Sequence, residues 1–279
     1  MFKYHTKNHK MIDYFTLLVK DIDRSLKFYK ESLGLDLVSQ EGNNYNLGVG
    51  NKVLFTITTN DKVIPKVRTT GLYHFALLLP KRSDLGNLLH HFLKTGQIIT
   101  GGSDHGVSEA LYLNDPDMNG IEIYVDYPDN KWPRSSANTV DMVSDPLDYE
   151  NLLLNRSSDE PFKMPEGTII GHMHYHVNNL LKGKEFFINI IGFELAQNAG
   201  SALFVSDDNY HHHLGFNVWN GLNAINRSEN MVGLVDYHLN VNENEIEDFI
   251  NNLKDNNYEI LDDEKGRYIY DINEVKLYF

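Results

Sequence analysis

The sequence contains no cysteine in a chain of 279 residues. Disulfide bonds, thiolate metal sites and a cysteine nucleophile are therefore excluded, and a metal site must be built from His, Asp, Glu or Tyr. The sequence also has no run of 18 apolar residues. Its first segment, MFKYHTKNHKMIDYF, has no apolar stretch typical of a signal peptide. These absences predict a cytoplasmic protein without a membrane span.

Positive charge is scarce, because 25 Lys and Arg stand against 39 Asp and Glu, and the formal net charge is -14. This balance argues against nucleic acid or an anionic membrane as a partner. Hydrophobic residues make up 41% of the chain and charged residues 23%, which is ordinary for a globular protein. The length is sufficient for two ordinary domains or one large domain.

An internal repeat is the most informative feature of the sequence. Residues 14–38 can be aligned with residues 172–196 without a gap. Each copy is typical of a strand, a turn, an amphipathic helix and a glycine turn into another strand. The matched pairs are Val19 with Val177, Phe28 with Phe186, Tyr29 with Phe187, Gly34 with Gly192, and Leu37 with Leu195. We expect Phe28 and Tyr29 to pack the helix against the sheet.

Two further segments, 71–96 and 234–260, also begin with a strand and a helix. Several short strands follow each helix, so the sequence predicts four βαβββ modules, which should pair to cover their sheet faces. The predicted fold class is α+β, with cupped mixed sheets in two tandem domains, 10–128 and 168–279. The intervening residues 129–167 are rich in Pro, Ser, Asp and Asn, and we expect a linker with one short helix near Tyr149–Asn155.

The thirteen histidines include a run of three at every second position, in GHMHYHV. In a strand, His172, His174 and His176 would share one face, with neighbours about 6.6 Å apart. A metal ion lies only about 2 Å from each ligand nitrogen. At most two of the three can therefore bind one ion, and other ligands must come from elsewhere. The other candidates lie in strand-like segments or turns: His74, His105, His211, His212 and His213.

Glu122 is the carboxylate that best completes a metal site, because it lies in the apolar strand of DPDMNGIEIYVD and would be buried there. A buried carboxylate needs a partner, which is commonly a metal or a cation. Asp115 is a weaker candidate, since Asp-Pro is ordinary turn chemistry. Two imidazoles and one carboxylate suit Fe(II) with open coordination positions, and they also suit a catalytic zinc. Residue type alone leaves that choice open.

The segments TGLYHFALLLP, HGVSEALYLNDPDMNGIEIY and NYHHHLGFNVW, in this order, resemble the vicinal oxygen chelate superfamily. That group includes glyoxalase I, fosfomycin and bleomycin resistance proteins and extradiol ring-cleaving dioxygenases. The resemblance covers nearly the whole chain and is closest to the two-domain bacterial catechol-2,3-dioxygenases. It implies glyoxalase-like modules folded around a metal ion.

The resemblance also implies roles for six residues, all of the expected type. The implied metal ligands are His172, which precedes Gly192 by 20 residues, His74 in a Leu-x-His pattern, and Glu122 after the Asp-Pro turn. The implied catalytic pocket residues are His213, His105 and Tyr112. His174 remains an alternative ligand, and His176 is interpreted as a core histidine. Tyr210 and Trp219 are interpreted as core aromatics rather than pocket residues.

The ligands depart from the usual family order, in which modules three and four supply them. Here module four offers Tyr237 where a His is needed, and module one offers Tyr14 where module three has His172. Only modules two and three together hold a complete set. We therefore predict that module two pairs with module three across the linker, while modules one and four form a vacated partner site.

The resemblance implies an extradiol dioxygenase that inserts O2 into catechol or a substituted catechol at an Fe(II) site, with Mn(II) as the alternative ion. The expected partner is a small aromatic diol, and the sequence leaves a homo-oligomer open. Other readings are a hydroquinone-cleaving dioxygenase, a glyoxalase-like isomerase or thiol transferase, and a drug-binding protein. The transferase class needs a fourth protein ligand and the drug-binding class lacks the metal ligands, so both are disfavoured.

Overall fold

The computed structural model describes residues 2–136 and 139–279. Its strands are β1 (Met11–Leu18), β2 (Asp36–Glu41), β3 (Asn44–Val49), β4 (Lys52–Thr58), β5 (Gly71–Leu78), β6 (Gly101–Asp104), β7 (Ser108–Asn114), β8 (Gly120–Asp126), β9 (Asp145–Pro146), β10 (Ile169–His176), β11 (Glu194–Asn198), β12 (Ala202–Ser206), β13 (Leu214–Asn217), β14 (Gly233–Asn240), β15 (Leu261–Asp263), β16 (Gly266–Tyr270) and β17 (Lys276–Tyr278). Its α-helices are α1 (Ile22–Lys27), α2 (Arg82–Thr95), α3 (Tyr149–Leu154), α4 (Leu180–Lys184) and α5 (Ile246–Asp255). The four predicted βαβββ modules are confirmed by this element order.

The internal repeat has a local structural basis that is the same in both copies. The side chains of Asp21 and Asn179 cap α1 and α4 by accepting backbone N–H groups of the first turn. Both helices continue into a π-helical turn, Phe28–Ser32 in one copy and Glu185–Ile190 in the other. The chain then reverses at glycines with positive φ, 67° at Gly34 and 87° at Gly192, a conformation that favours glycine.

The strands form two sheets, and each sheet combines the two halves of the chain. One has the order β11-β12-β13-β10-β5-β8-β7-β6-β9, and the other has the order β15-β16-β17-β14-β1-β4-β3-β2. In the first, module three meets module two where β10 pairs antiparallel with β5. In the second, module four meets module one where β14 pairs antiparallel with β1. The predicted pairing of modules is therefore present within one chain, and the sheets do not coincide with the division at 10–128 and 168–279.

The linker between the two halves of the chain contributes a helix and an edge strand to the fold. The short helix expected near Tyr149–Asn155 is present as α3, which Asp148 caps by accepting the N–H of Asn151. Strand β9 of the linker adds an edge to the first sheet by pairing with β6. Within the described residues, no helix is long and apolar enough to cross a membrane.

One continuous hydrophobic core lies between the helices and both sheets. Rings from the two sheets meet there, since the centroid of Phe15 lies 4.9 Å from that of Phe55 and 4.9 Å from that of Phe75. Tyr29 is fully buried in this core, as expected, and its hydroxyl donates to Asp115 at 2.8 Å. Phe28 packs against the same core while partly exposed. This packing fixes the central strands that carry the candidate site.

Candidate metal centre

Three neighbouring strands place the predicted ligands on one face of the first sheet. Ala76 of β5 lies opposite His172 of β10 on one side and opposite Glu122 of β8 on the other. His74 is two residues before Ala76 and so shares its face. The three side chains therefore converge over the small side chain of Ala76. Next to His74, position 120 is glycine, and a Cβ there would lie 2.9 Å from the Cβ of His74.

The candidate ligand atoms of His74, Glu122 and His172 form a compact triangle, the ligand triangle. The Nε2 atoms of His74 and His172 each lie 3.1 Å from Oε2 of Glu122, and 3.4 Å from each other. Ligand atoms about 2.1 Å from one ion and at right angles to each other would be about 3 Å apart. The observed separations fit three protein ligands on one side of a single ion. The three residues are buried, at 6%, 3% and 1% exposure for His74, Glu122 and His172.

The ionisation of this group suits a metal site. Burial alone would raise the pKa of Glu122, but the adjacent imidazoles of His172 and His74 hold the pKa of that carboxyl well below its usual range. Burial lowers the pKa of His172 to about 4, in spite of the neighbouring carboxylate. The arrangement is therefore a carboxylate beside a neutral imidazole, the forms that bind a divalent ion.

A cavity of about 400 Å³ opens from the ligand triangle. His105 and Tyr112 both line it, and Nε2 of His105 lies 2.7 Å from the hydroxyl of Tyr112. The Nδ1–H of His105 donates to the carbonyl of Val143 at 2.6 Å. In the neutral ring, Nε2 is therefore the acceptor, and Tyr112 donates to it. Burial raises the pKa of Tyr112 well above its usual range, and Glu122 adds to the effect.

His213 lies outside the cavity, so the structure corrects its expected position. Its Nδ1 accepts the backbone N–H of Asp207 at 3.0 Å, and its Nε2–H donates to the carbonyl of Tyr4 at 2.9 Å. His212 lines the cavity instead, with its ring centroid 4.0 Å from that of His172. Residues 210–213 precede β13 and have no strand conformation, so the alternation of a strand does not apply to them.

The other two histidines of GHMHYHV share one amide. Asn217 donates its Nδ2–H to Nε2 of His174 at 2.9 Å, and its Oδ1 accepts from Nδ1 of His176 at 2.8 Å. His174 lines the cavity, but it does not belong to the ligand triangle. His176 is a buried, hydrogen-bonded histidine.

Several cavity residues were not anticipated. Trp219 lines the cavity while 46% exposed. Tyr210 is fully buried, as expected, in a separate aromatic cluster with Tyr4 and Trp132. Tyr73 lies beside Trp219, with ring centroids 5.3 Å apart. The linker adds a wall that no periodic pattern predicts, and its residues are Met142, Val143 and Ser144.

The second sheet carries the corresponding positions without the ligands. Thr16 and Asp236 face each other as His174 and His74 do in the first sheet, so the counterpart of His74 is Asp236. The expectation that Tyr237 fills this position was wrong, because Tyr237 points to the core and donates to Asp271. Nζ of Lys265 lies 2.7 Å from Oδ2 of Asp236. An ammonium group thus neutralises the carboxylate of the second sheet.

The chain is similar to known proteins in sequence and in fold. Residues 11–123 match the Glyoxalase/Bleomycin resistance protein/Dioxygenase superfamily. The chain is 39% identical over 274 residues to Catechol-2,3-dioxygenase of Bacillus subtilis (strain 168), covering 96% of this chain and 95% of that protein. It is 30% identical over 118 residues to Metallothiol transferase FosB of Staphylococcus haemolyticus, covering 39% of this chain and 79% of that protein.

A solved structure of a Bacillus subtilis protein shares the fold, with a TM-score of 0.66 at 15% identity. The match covers 98% of this chain and 85% of that chain. The fold, the ligand triangle and the near full-length relative lead to one assignment. The chain belongs to the glyoxalase/bleomycin resistance/dioxygenase superfamily, and it is an enzyme of the dioxygenase class.

Proposed function

We propose that the protein is an extradiol dioxygenase that cleaves the ring of catechol or a substituted catechol with O2. The observation that carries the proposal is the buried triangle of His74, Glu122 and His172, with ligand atoms 3.1 to 3.4 Å apart. Two imidazoles and one carboxylate leave positions open for a diol and for O2. We propose Fe(II) as the ion, with Mn(II) as the alternative; when bound, it supplies the positive charge that favours the deprotonated diol and the centre for O2 chemistry.

The cavity suits an uncharged aromatic ring. Of the described residues that line it, none is Lys or Arg, so a carboxylate on the substrate would have no cationic partner. Phe204, Ala199 and Ala202 provide apolar surface in the cavity wall. A volume of about 400 Å³ accepts a catechol with a substituent.

His105, Tyr112 and His212 are the cavity residues for which we propose roles in the reaction. We propose that Tyr112 and His105, which are hydrogen-bonded to each other, orient the substrate oxygens and stabilise the ring-opened anion. We propose His212 as the acid–base residue, in place of the His213 that the resemblance implies as a catalytic residue, because the ring of His212 lines the cavity and packs against His172. The apolar wall would exclude water while the ring is open.

The alternative classes have less support. A glyoxalase-like isomerase or thiol transferase uses a fourth protein ligand, whereas the group found within the described residues has three members. The similarity to the thiol transferase extends over 118 residues only. A hydroquinone holds its two oxygens at opposite ends of the ring and would bring only one of them to the ligand triangle.

Oxygen consumption tests the proposal directly. The protein is loaded anaerobically with Fe(II), catechol and air are added, and O2 loss is followed together with the yellow ring-opened product. We expect activity in the wild type and in Asp236→Asn, which makes the same chemical change in the second sheet. Glu122→Gln should abolish it. A protein with one bound ion but no turnover of catechol, methylcatechols or hydroquinones would contradict the dioxygenase proposal.

A further inference from the structure

The three consecutive histidines 211–213 have three different environments. His213 bonds to backbone groups and His212 lines the cavity, as described above. His211 is fully buried. Its Nε2 lies 2.8 Å from Oδ1 of Asp126, and its Nδ1 lies 2.8 Å from Nδ1 of His212. A hydrogen-bonded chain therefore runs from Asp126 through His211 to His212.

The direction of each hydrogen bond follows from the donors that are present. A carboxylate only accepts, so Nε2 of His211 carries the proton and donates it to Asp126. When His211 carries this one proton, its Nδ1 is an acceptor, and Nδ1 of His212 donates to it. In neutral His212 this leaves the lone pair on Nε2. No described residue makes a hydrogen bond to this Nε2, and it is not among the buried unpartnered atoms, so it faces the cavity.

The surroundings hold both links of the chain in place. The ring of His211 packs against Tyr210, with centroids 4.0 Å apart, and against Trp132 at 5.2 Å. The hydroxyl of Tyr210 donates a further hydrogen bond to Asp126, at 3.1 Å from Oδ2. Asp126 also borders a separate surface cleft of about 230 Å³, formed with the N-terminal residues. The side chain of Asp126 is 20% exposed, and its carboxylate accepts hydrogen bonds from Tyr210 and His211.

We propose that Asp126 and His211 are positioning residues that hold His212 in the tautomer with the proton on Nδ1, so that the lone pair of Nε2 is presented to the substrate. The value of this lone pair for catalysis rests on the proposed function, because a proton acceptor beside the bound diol is useful only to such a reaction. The arrangement itself stands on the hydrogen bonds alone. A histidine held in this way needs no reorganisation when the substrate arrives.

The tautomer can be measured without any turnover. The full chain is labelled with ¹⁵N-histidine and loaded with diamagnetic Zn(II), and long-range ¹H–¹⁵N correlations are recorded, with His212→Gln used to assign the signals. We expect His212 of the wild type to show a protonated Nδ1 and an unprotonated Nε2. A protonated Nε2 in the wild type would overturn the proposal, and the variant His212→Gln serves only to assign the signals.

Two variants test the role of the chain. Asp126→Asn presents an amide that can donate or accept, and His211→Phe removes the acceptor, so both should yield a mixture of His212 tautomers. With Fe(II), kcat should fall by about 10- to 100-fold while KM and the bound metal per chain stay constant. Asp129→Asn is the matched control, because this carboxylate borders the same cleft but pairs with Lys3.

The outcomes separate this proposal from the proposed function. If either variant keeps the wild-type tautomer and kcat, the positioning role is wrong even though the enzyme cleaves diols. If the wild type cleaves no diol, the proposed function fails, while the tautomer of His212 still decides whether Asp126 and His211 position it. A fall in kcat in Asp129→Asn of the same size would also overturn the proposal.

Discussion

Replacement of Glu122 by glutamine should remove most of the stabilisation that a bound metal gives to the fold. Glu122 makes two of the three short contacts in the ligand triangle and supplies its only negative charge. Loss of a group around a metal ligand costs up to about 100-fold in affinity, and loss of the ligand itself should cost at least that much. At a metal concentration 100 times the wild-type Kd, binding stabilises the native state by about 2.7 kcal/mol.

A variant that binds 100-fold more weakly would gain only about 0.4 kcal/mol under the same conditions. The difference of about 2.3 kcal/mol can be converted to temperature through the unfolding entropy, about 0.6 kcal/mol per kelvin for 279 residues. We therefore expect the increase in Tm on adding Fe(II) or Mn(II) to be about 4 °C smaller in Glu122→Gln than in the wild type. Anaerobic calorimetry with and without the ion measures it.

The control variant Asp236→Asn makes the same carboxylate-to-amide change in the second sheet, at the position that corresponds to His74. It should leave the metal-induced increase in Tm unchanged, whatever its effect on the metal-free protein, because Asp236 already pairs with Lys265. An undiminished increase in Glu122→Gln would refute the assignment of the ligand triangle. So would the loss of the increase in Asp236→Asn.

Two further predictions concern the second sheet. Lys265→Met leaves the carboxylate of Asp236, 3% exposed, without its cation, and should lower the free energy of unfolding in urea by about 2 kcal/mol, since Lys265 is itself partly exposed. Asp236→Asn in the same chain should restore most of that loss, and a Lys265→Met protein as stable as the wild type would contradict the pairing. Burial raises the pKa of Asp271 to about 6, above its ordinary 3.8, so the native state keeps a proton that the unfolded chain releases. Protonation of Asp271 therefore stabilises the native state fully below pH 4. This stabilisation, about 3 kcal/mol, is lost as the pH rises to 6. Measured from pH 4 to 7, the stability of the wild type should fall relative to Asp271→Asn, and parallel curves would refute this.

The module structure could be predicted from the sequence because two aligned copies indicate the same order of strands and helix. The alignment of 14–38 with 172–196 predicts a glycine turn in both copies, and the structure has positive φ at Gly34 and Gly192. The structure adds a helix cap at matched positions, Asp21 and Asn179. The pairing of modules two and three followed from the chemistry, since only together do they hold two imidazoles and a carboxylate. The three predicted ligands do lie together, and their binding of an ion stays a prediction.

The remaining parts of the site could not be predicted, for reasons that differ from residue to residue. His212 and His213 are equally plausible in a run of three histidines, because residues 210–213 follow no strand alternation. The wall formed by Val143 comes from a linker, where no periodicity indicates which side chains turn inward. Asp236 was missed because the position was assigned one residue too late, and in a strand such a shift changes the face of the sheet.

The way in which the two halves share both sheets also determines what a break in the chain would do. His74 and Glu122 precede the linker and His172 follows it, so a cut within residues 139–167 would separate the ligands into two fragments. Each fragment would keep one strand of each central pair and expose the edge that its missing neighbour covers. Refolding of the fragments and recovery of the metal centre would then be the same event. The two halves of the chain should therefore behave as complementary fragments, and metal binding would report their association.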